Sequence, residues 1–336
     1  MPYTPNAING KVWTDEPSTD LFNCSMTGHY PFSMPVHCKS CLIKVVLSVW
    51  FCILLQACAT PADHLNFLAS EQGYTRSKIV AAGYDLLVYQ NQLEPSSGQG
   101  DSTDVANQAS AILHVYLEGD GSPWAYRTIV MPDPTPRSPM MLTLMALDSQ
   151  RASYLGRPCY NGSSQDPDCD ATLWTSGRYS TRVVASMASG IRVLARRHKA
   201  NDIRLFGHSG GGALAMLLAA EVPEVTHVVT IAGNLNTDAW IRHHGYSPLY
   251  SSMNPALQAP LRSDVGQWHL IGGRDAVIPP TLVRPFIMSQ QAASGYLMNG
   301  YTHGCCWHNI WPSVLEALAD DTPESLPGER FKAAER

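Results

Sequence analysis

A serine bracketed by glycines, between a predicted strand and a predicted helix, constrains this chain more than any other feature. Residues 203–206 read Ile-Arg-Leu-Phe, a short strand-like run, and Gly207-His208-Ser209-Gly210-Gly211 follows directly. Residues 212–221 are rich in Ala and Leu and apolar nearly all round, the pattern of a buried helix, and they stop before Pro223. A chain that passes from strand to helix within so few residues must bend sharply at Ser209 and lift its hydroxyl above the sheet. The residues two before and two after must then be very small, which Gly207 and Gly211 satisfy, while Gly212 eases the helix start against the strand. The backbone N–H of Gly210, at the helix N-terminus, is placed to face a developing negative charge.

Other segments supply the sheet that such a turn needs. Residues 79–89 read as two short strands broken at Gly83, and 111–117 as a compact buried strand that ends in Glu118-Gly119-Asp120-Gly121. Further strands are predicted at 225–231 and 268–271. In 179–199, Val184, Met187, Ile191 and Leu194 recur at helical spacing. Ser138-Pro139 predicts a helix through Ala146 with Ser138 as its cap, and 309–318 a closing helix followed by a frayed charged tail after Asp320. Residues 95–103 read as a Gly/Ser-rich loop and 151–177 as irregular. Strands alternating with helices predict an α/β fold, a mostly parallel central β-sheet flanked by helices on both faces.

A serine hydroxyl needs a base to become a nucleophile, and the base needs an acid to orient it. Gly272-Gly273-Arg274-Asp275-Ala276-Val277-Ile278-Pro279 follows the 268–271 strand, and Tyr301-Thr302-His303-Gly304 precedes the last helix. These three motifs, in this order, resemble the α/β-hydrolase superfamily, in which the nucleophile elbow Gly-x-Ser-x-Gly is followed by an acid and then a histidine. The resemblance covers most of the chain from about Ile79 to the final helix. It implies Ser209, Asp275 and His303 as catalytic residues, with Gly207, His208 and Gly211 forming the elbow. Asp238 is the rival acid and His308 the rival base, while His227 and His269 fall inside strands.

The loop Glu118-Gly119-Asp120-Gly121 looks like the His-Gly loop of lipases and esterases, with Glu118 in place of the histidine. It implies an oxyanion hole built from the N–H of Gly210 with that of Asp120, or next that of Gly121. By the same resemblance the expected reaction is cleavage of a carboxylic ester or thioester, from a small-molecule or lipid acyl substrate. The alternatives are a lipid-anchored binding or envelope protein on the same fold, and a serine peptidase. Residues 138–178, with Met140, Met141, Tyr154, Tyr160 and Trp174, are either a lid or lining over the site or plain core.

The first 58 residues form a leader, and 59–336 a single domain with a disulfide-containing insert near 138–178. Residues 45–55, VVLSVWFCILL, follow Lys39 and Lys44 and are too short to span a membrane, yet suit the apolar region of a secretory signal. The run closes in Leu55-Gln56-Ala57-Cys58, which looks like a bacterial lipobox, with Cys58 as the lipid attachment site; a plain cleaved signal is the competitor. The acidic Asp15, Glu16 and Asp20 do not fit a signal, so translation from Met34 or a disordered extension is expected. Export, with a lipid anchor in the bacterial cell envelope, is the expected location.

Of nine cysteines, five lie in that leader, where Cys38 and Cys41 have no second ligand pair to make a metal site. Cys159 and Cys169 bracket a polar segment and are a possible disulfide. Cys305 and Cys306 are open to a vicinal ring, to other pairings, or to free thiols. The net charge of −5 and the single basic cluster Arg196-Arg197-His198-Lys199, at a predicted helix end, argue against nucleic acid. No Rossmann fingerprint, P-loop or His-Glu-x-x-His is present, so neither a cofactor nor a metal is expected.

Overall fold

In a computed structural model of the protein, the structure describes residues 60–91 and 111–332. The signal-like segment, Cys58, the Cys38/Cys41 pair, Met34 and the 95–103 loop lie outside those residues. The first half of the described chain runs α1 (Pro61–Glu71), β1 (Thr75–Ala81), β2 (Tyr84–Gln90), β3 (Ala111–Leu117), β4 (Trp124–Ala125), β5 (Ile129–Val130), α2 (Met140–Met145), β6 (Ala152–Leu155) and α3 (Thr181–His198). It continues through β7 (Ala200–His208), α4 (Gly210–Glu221), β8 (Val225–Ile231), α5 (Thr237–His244), β9 (Gly266–Gly272), α6 (Pro280–Ser289), β10 (Ala293–Met298), α7 (Trp311–Ala319) and β11 (Glu329–Lys332).

Among the described residues these strands build a nine-stranded sheet in the order β1-β2-β6-β3-β7-β8-β9-β10-β11. Every pairing from β6 to β10 is parallel, and the edges β1, β2 and β11 are antiparallel. Side chains alternate across the strands, so each strand feeds two cores. Leu113, Val115 and Leu117 of β3 join Leu205 of β7 and Val228 of β8 under α3, α4 and α6. Tyr116, Phe206 and Val229 face the other way, into a core with Leu65 of α1, Met141 of α2 and Trp311 of α7. Helices thus cover both faces, and the central strands read as continuous apolar runs because neither face meets water.

Several local expectations are corrected. The stretch 151–177 is not irregular throughout: Ala152–Leu155 inserts as β6 between β2 and β3. Its four residues carry too short a pattern to be read alone, and pairing on both sides defines it. The tail after Asp320 is not frayed to its end, since Glu329–Lys332 pairs antiparallel with β10 and the Phe331 ring lies on Gly295. Ser138 does not cap α2; Pro139 holds the cap position without a side-chain bond, and the Met141 N–H is taken by the Glu118 carboxylate. Of the two readings of 138–178, plain core holds for four residues, each 4% exposed or less: Met141 and Tyr154 lie in one core, with Met140 half-buried against it, and Tyr160 and Trp174 in the other. Cys159 and Cys169 are joined, as are Cys305 and Cys306. Among the described residues no helix is long and apolar enough to cross a membrane.

Candidate active site

Ser209 lies between the end of β7 and the start of α4 with φ 53° and ψ −118°, a conformation that costs a non-glycine residue on the order of 1–3 kcal/mol. The surroundings hold it there. Its N–H donates to Ile231 O at 2.9 Å, and its carbonyl accepts from the N–H groups of Gly212 and Asn234. A side chain at Gly207 would strike the Gly211 carbonyl, and one at Gly211 the Leu117 carbonyl, so both positions of the elbow require glycine. Gly210 is required as well, because the Asp120 carboxylate and the Tyr179 hydroxyl occupy the space beside it.

Asp275 follows β9 and is buried, with Oδ1 accepting from the N–H groups of Val277 and Ile278 at 2.8 Å each. That turn points Oδ2 at His303, whose Nδ1 lies 2.8 Å away. The histidine backbone is fixed in turn: its carbonyl accepts from Trp307 Nε1 at 3.2 Å and His208 Nε2 at 3.0 Å. With Nδ1–H given to Asp275, His303 keeps Nε2 free of a proton, the tautomer a general base needs. The Ser209 hydroxyl has no hydrogen-bond partner among the described residues. The candidate acid and base are therefore bonded to one another while the Ser209 hydroxyl is unengaged.

Residues 118–121 line the other side of the elbow. A Cβ built on Gly119 would lie 3.5 Å from Ser209 Cβ. The Gly119 N–H is taken by Glu118 Oε1 at 3.1 Å, whereas the N–H groups of Asp120 and Gly121, like that of Gly210, have no partner among the described residues. The Asp120 side chain is held by Arg157 at 2.8 Å, Arg178 at 3.1 Å and the Tyr179 hydroxyl at 2.6 Å, and its carbonyl accepts from Tyr160 at 3.1 Å. Burial alone would raise the Asp120 pKa, but Arg157, Arg178 and the Tyr179 hydroxyl outweigh it and hold it below the usual carboxylate value. Glu118 has no cation hydrogen-bonded to its carboxylate, although the charge of Arg157 acts on it from nearby. Burial pushes it up to about 7, against the bonds from Gly119 and Met141. Burial and the neighbouring His303 bring His208 down to about 4, so it is neutral at pH 7.

Asp275 and His303 are bonded to one another, His208 of the elbow touches His303, and the 118–121 loop lies against Ser209. The rivals lie elsewhere. Asp238 is in the first turn of α5, and His308 bonds the Thr143 hydroxyl at 2.9 Å. His269 is buried against Thr230 within the sheet, and His227 bonds Thr226. Arg157, Arg178 and the Nε2 contact of His208 carried no motif and were missed, and Glu118 was read only as a departure from a known loop. Their pairing joins segments tens of residues apart. A 310 Å³ cavity lined by Met216, Met253, Leu261 and Phe286 shares no residue with this site.

Comparison with known proteins gives the architecture a precedent. A crystal structure of puromycin hydrolase superposes with TM-score 0.52 at 14% identity, over 75% of this chain and 39% of that one. The chain has the α/β-hydrolase fold. An esterase of Pyrococcus furiosus, Pf2001, aligns over 77% of this chain and 96% of its own with TM-score 0.48 and 14% identity. A lidless α/β serine hydrolase of Xanthomonas campestris aligns over 76% and 96% with TM-score 0.45 and 13% identity. The chain thus spans about two fifths of the puromycin hydrolase but nearly the whole length of the other two. No family model and no curated protein matches the chain by sequence. On this fold, ligands and catalytic groups gather outside the carboxyl ends of the strands, where Ser209 lies.

Proposed function

We propose that the protein is a serine hydrolase that cleaves a carboxylic ester or thioester through an acyl-enzyme on Ser209. The observation that carries this reading is the 2.8 Å Asp275–His303 bond, held by His208 next to a strained, glycine-bracketed serine. The Ser209 hydroxyl turns to His303 Nε2 and gives up its proton as its oxygen attacks the substrate carbonyl. The unbonded N–H groups of Gly210 and Asp120, with Gly121 next, hold the oxyanion. His303 then protonates the leaving group, and water releases the acid by the same steps in reverse order.

An ester with an apolar acyl or alcohol portion suits the surroundings better than a peptide. The excursion that leaves the 118–121 loop exposes Trp124, Tyr126, Ile129 and Val130, and Val277, two residues after Asp275, is exposed too. Arg127 ties this excursion to α5 by donating to His244 O at 3.3 Å, and Trp240 and His244 both donate to Val277 O. Exposed apolar side chains therefore follow both the 118–121 loop and Asp275 along the chain. Export with lipid attachment at Cys58 belongs to the same reading; the intact mass of the N-terminal peptide from native cells tests it.

Labelling with a fluorophosphonate probe tests the function, comparing wild type with Ser209→Ala. Labelling lost in the variant is expected. A folded wild type that stays unlabelled would point to the non-catalytic binding protein. A panel of acyl esters against aminoacyl amides separates the esterase from the peptidase.

A further inference from the structure

We infer that Glu118 is a positioning residue that must be ionised for the site to work, setting the oxyanion loop and coupling it through His208 to the His303 loop. The inference rests on the serine hydrolase reading above.

Glu118 is a carboxylate with 5% exposure whose two oxygens are both spent on backbone donors, Gly119 N–H at 3.1 Å and Met141 N–H at 2.9 Å. One bond belongs to the loop, the other to the start of α2, so the carboxylate ties the loop to a helix packed in the core. Holding the Gly119 N–H on Glu118 keeps that donor out of the site and leaves the next two N–H groups, of Asp120 and Gly121, unbonded. Arg157 does not neutralise the carboxylate by a hydrogen bond; its Nη2 goes to the Glu118 carbonyl at 3.0 Å and its Nη1 to Asp120.

The link to the base runs through His208. Its Nε2 donates to the His303 carbonyl at 3.0 Å, the two rings lie 4.8 Å apart, and neutral His208 therefore turns the Nδ1 lone pair outward. Nδ1 lies 3.9 Å from Glu118 Oε1, and a Cβ on Gly119 would lie 3.4 Å from the same nitrogen. Two lone pairs face one another while Glu118 is ionised. A proton on Oε1 is drawn to Nδ1, and Oε1 is then a poorer acceptor for the Gly119 N–H that it must hold. The titratable and charged groups around Glu118 are Arg157 and Tyr154 from the β6 side, Asp120 on its own loop, and His208 at the end of β7. Burial places its ionisation in the neutral range, where a change of pH alters it.

The pH dependence of the fluorophosphonate labelling rate between about pH 5 and 9 tests this without knowledge of the substrate. In wild type the logarithm of the rate should fall in acid with a slope approaching two, one proton for His303 and one for Glu118. In Glu118→Gln, whose amide accepts only one of the two N–H groups, the slope should drop to about one and the plateau rate about a hundredfold. A wild-type slope of one overturns the inference, whether or not the variant folds. So does a folded Glu118→Gln with the wild-type slope and plateau, the result of a merely structural carboxylate. Absence of labelling at every pH would instead overturn the serine hydrolase reading itself.

Discussion

Arg157 Nη1 and Asp120 Oδ1 lie 2.8 Å apart with the guanidinium 3% exposed, and this buried pair fixes the loop that carries the candidate oxyanion donors. Arg178 reaches the second Asp120 oxygen at 3.1 Å, so one carboxylate is shared by two buried cations. Removing one member of such a set leaves charge without a partner in a medium that solvates it poorly. Arg157→Met is expected to lower stability by roughly 3 kcal/mol in urea titrations at pH 7. The Asp120 pKa is lowered on folding, so its share of the stability is present above the unfolded value near 3.8 and is lost as pH falls through the folded one.

Ser209 bears backbone strain that the fold sustains for the sake of its position. Ser209→Gly should raise the melting temperature, through a gain of about 1 kcal/mol, while abolishing fluorophosphonate labelling. A variant equal to wild type in stability would show that φ 53° costs nothing here.

Glu118 has the opposite linkage from Asp120. Its pKa is raised from 4.5 to about 7 on folding, so its contribution to stability is fully present below pH 4.5 and is lost as pH rises through 7. The loss is roughly 3 kcal/mol between those limits, since each pKa unit is about 1.4 kcal/mol. Denaturant midpoints of wild type and Glu118→Gln should therefore converge in acid and separate in favour of the variant above neutrality.

The two candidate bases differ in their partners, and the difference can be read directly. His303→Ala is expected to abolish labelling, having removed the bond to Asp275. His308→Ala loses only a bond to the Thr143 hydroxyl and should label at close to the wild-type rate. Asp275→Ala should behave as His303→Ala does, and Asp238→Ala as wild type.

Cys159 and Cys169 close a loop of sequence separation 10 that carries Tyr160, one of the groups bonded to Asp120. The double variant Cys159→Ser/Cys169→Ser should lose about 3 kcal/mol by the chain-entropy relation, measured by thermal unfolding under oxidising conditions.

The amino-acid sequence alone determined the α/β class, the strand and helix around Ser209, and the order of the candidate residues Ser209, Asp275 and His303. These are local properties: apolar runs of characteristic length, glycines where a side chain would collide, and an aspartate and a histidine on loops at strand ends. The same reading placed Asp275 and His303 ahead of Asp238 and His308, and these two are bonded to one another because the turn after β9 presents its side chain toward the last loop. Only the tertiary structure decided what Glu118, Asp120 and His208 do. Glu118 looked like a departure from a known loop, yet its carboxylate finds the Met141 N–H and so does the capping work expected of Ser138. Asp120 finds Arg157 and Arg178, thirty-seven and fifty-eight positions away. Likewise β6 and β11 exist because neighbouring strands offer unpaired backbone, not because ASYL or ERFK says strand. The physical reason is common to all of them. A buried polar group is defined by the partner that satisfies it, and the partner is chosen by the fold rather than by the residues beside it in the chain.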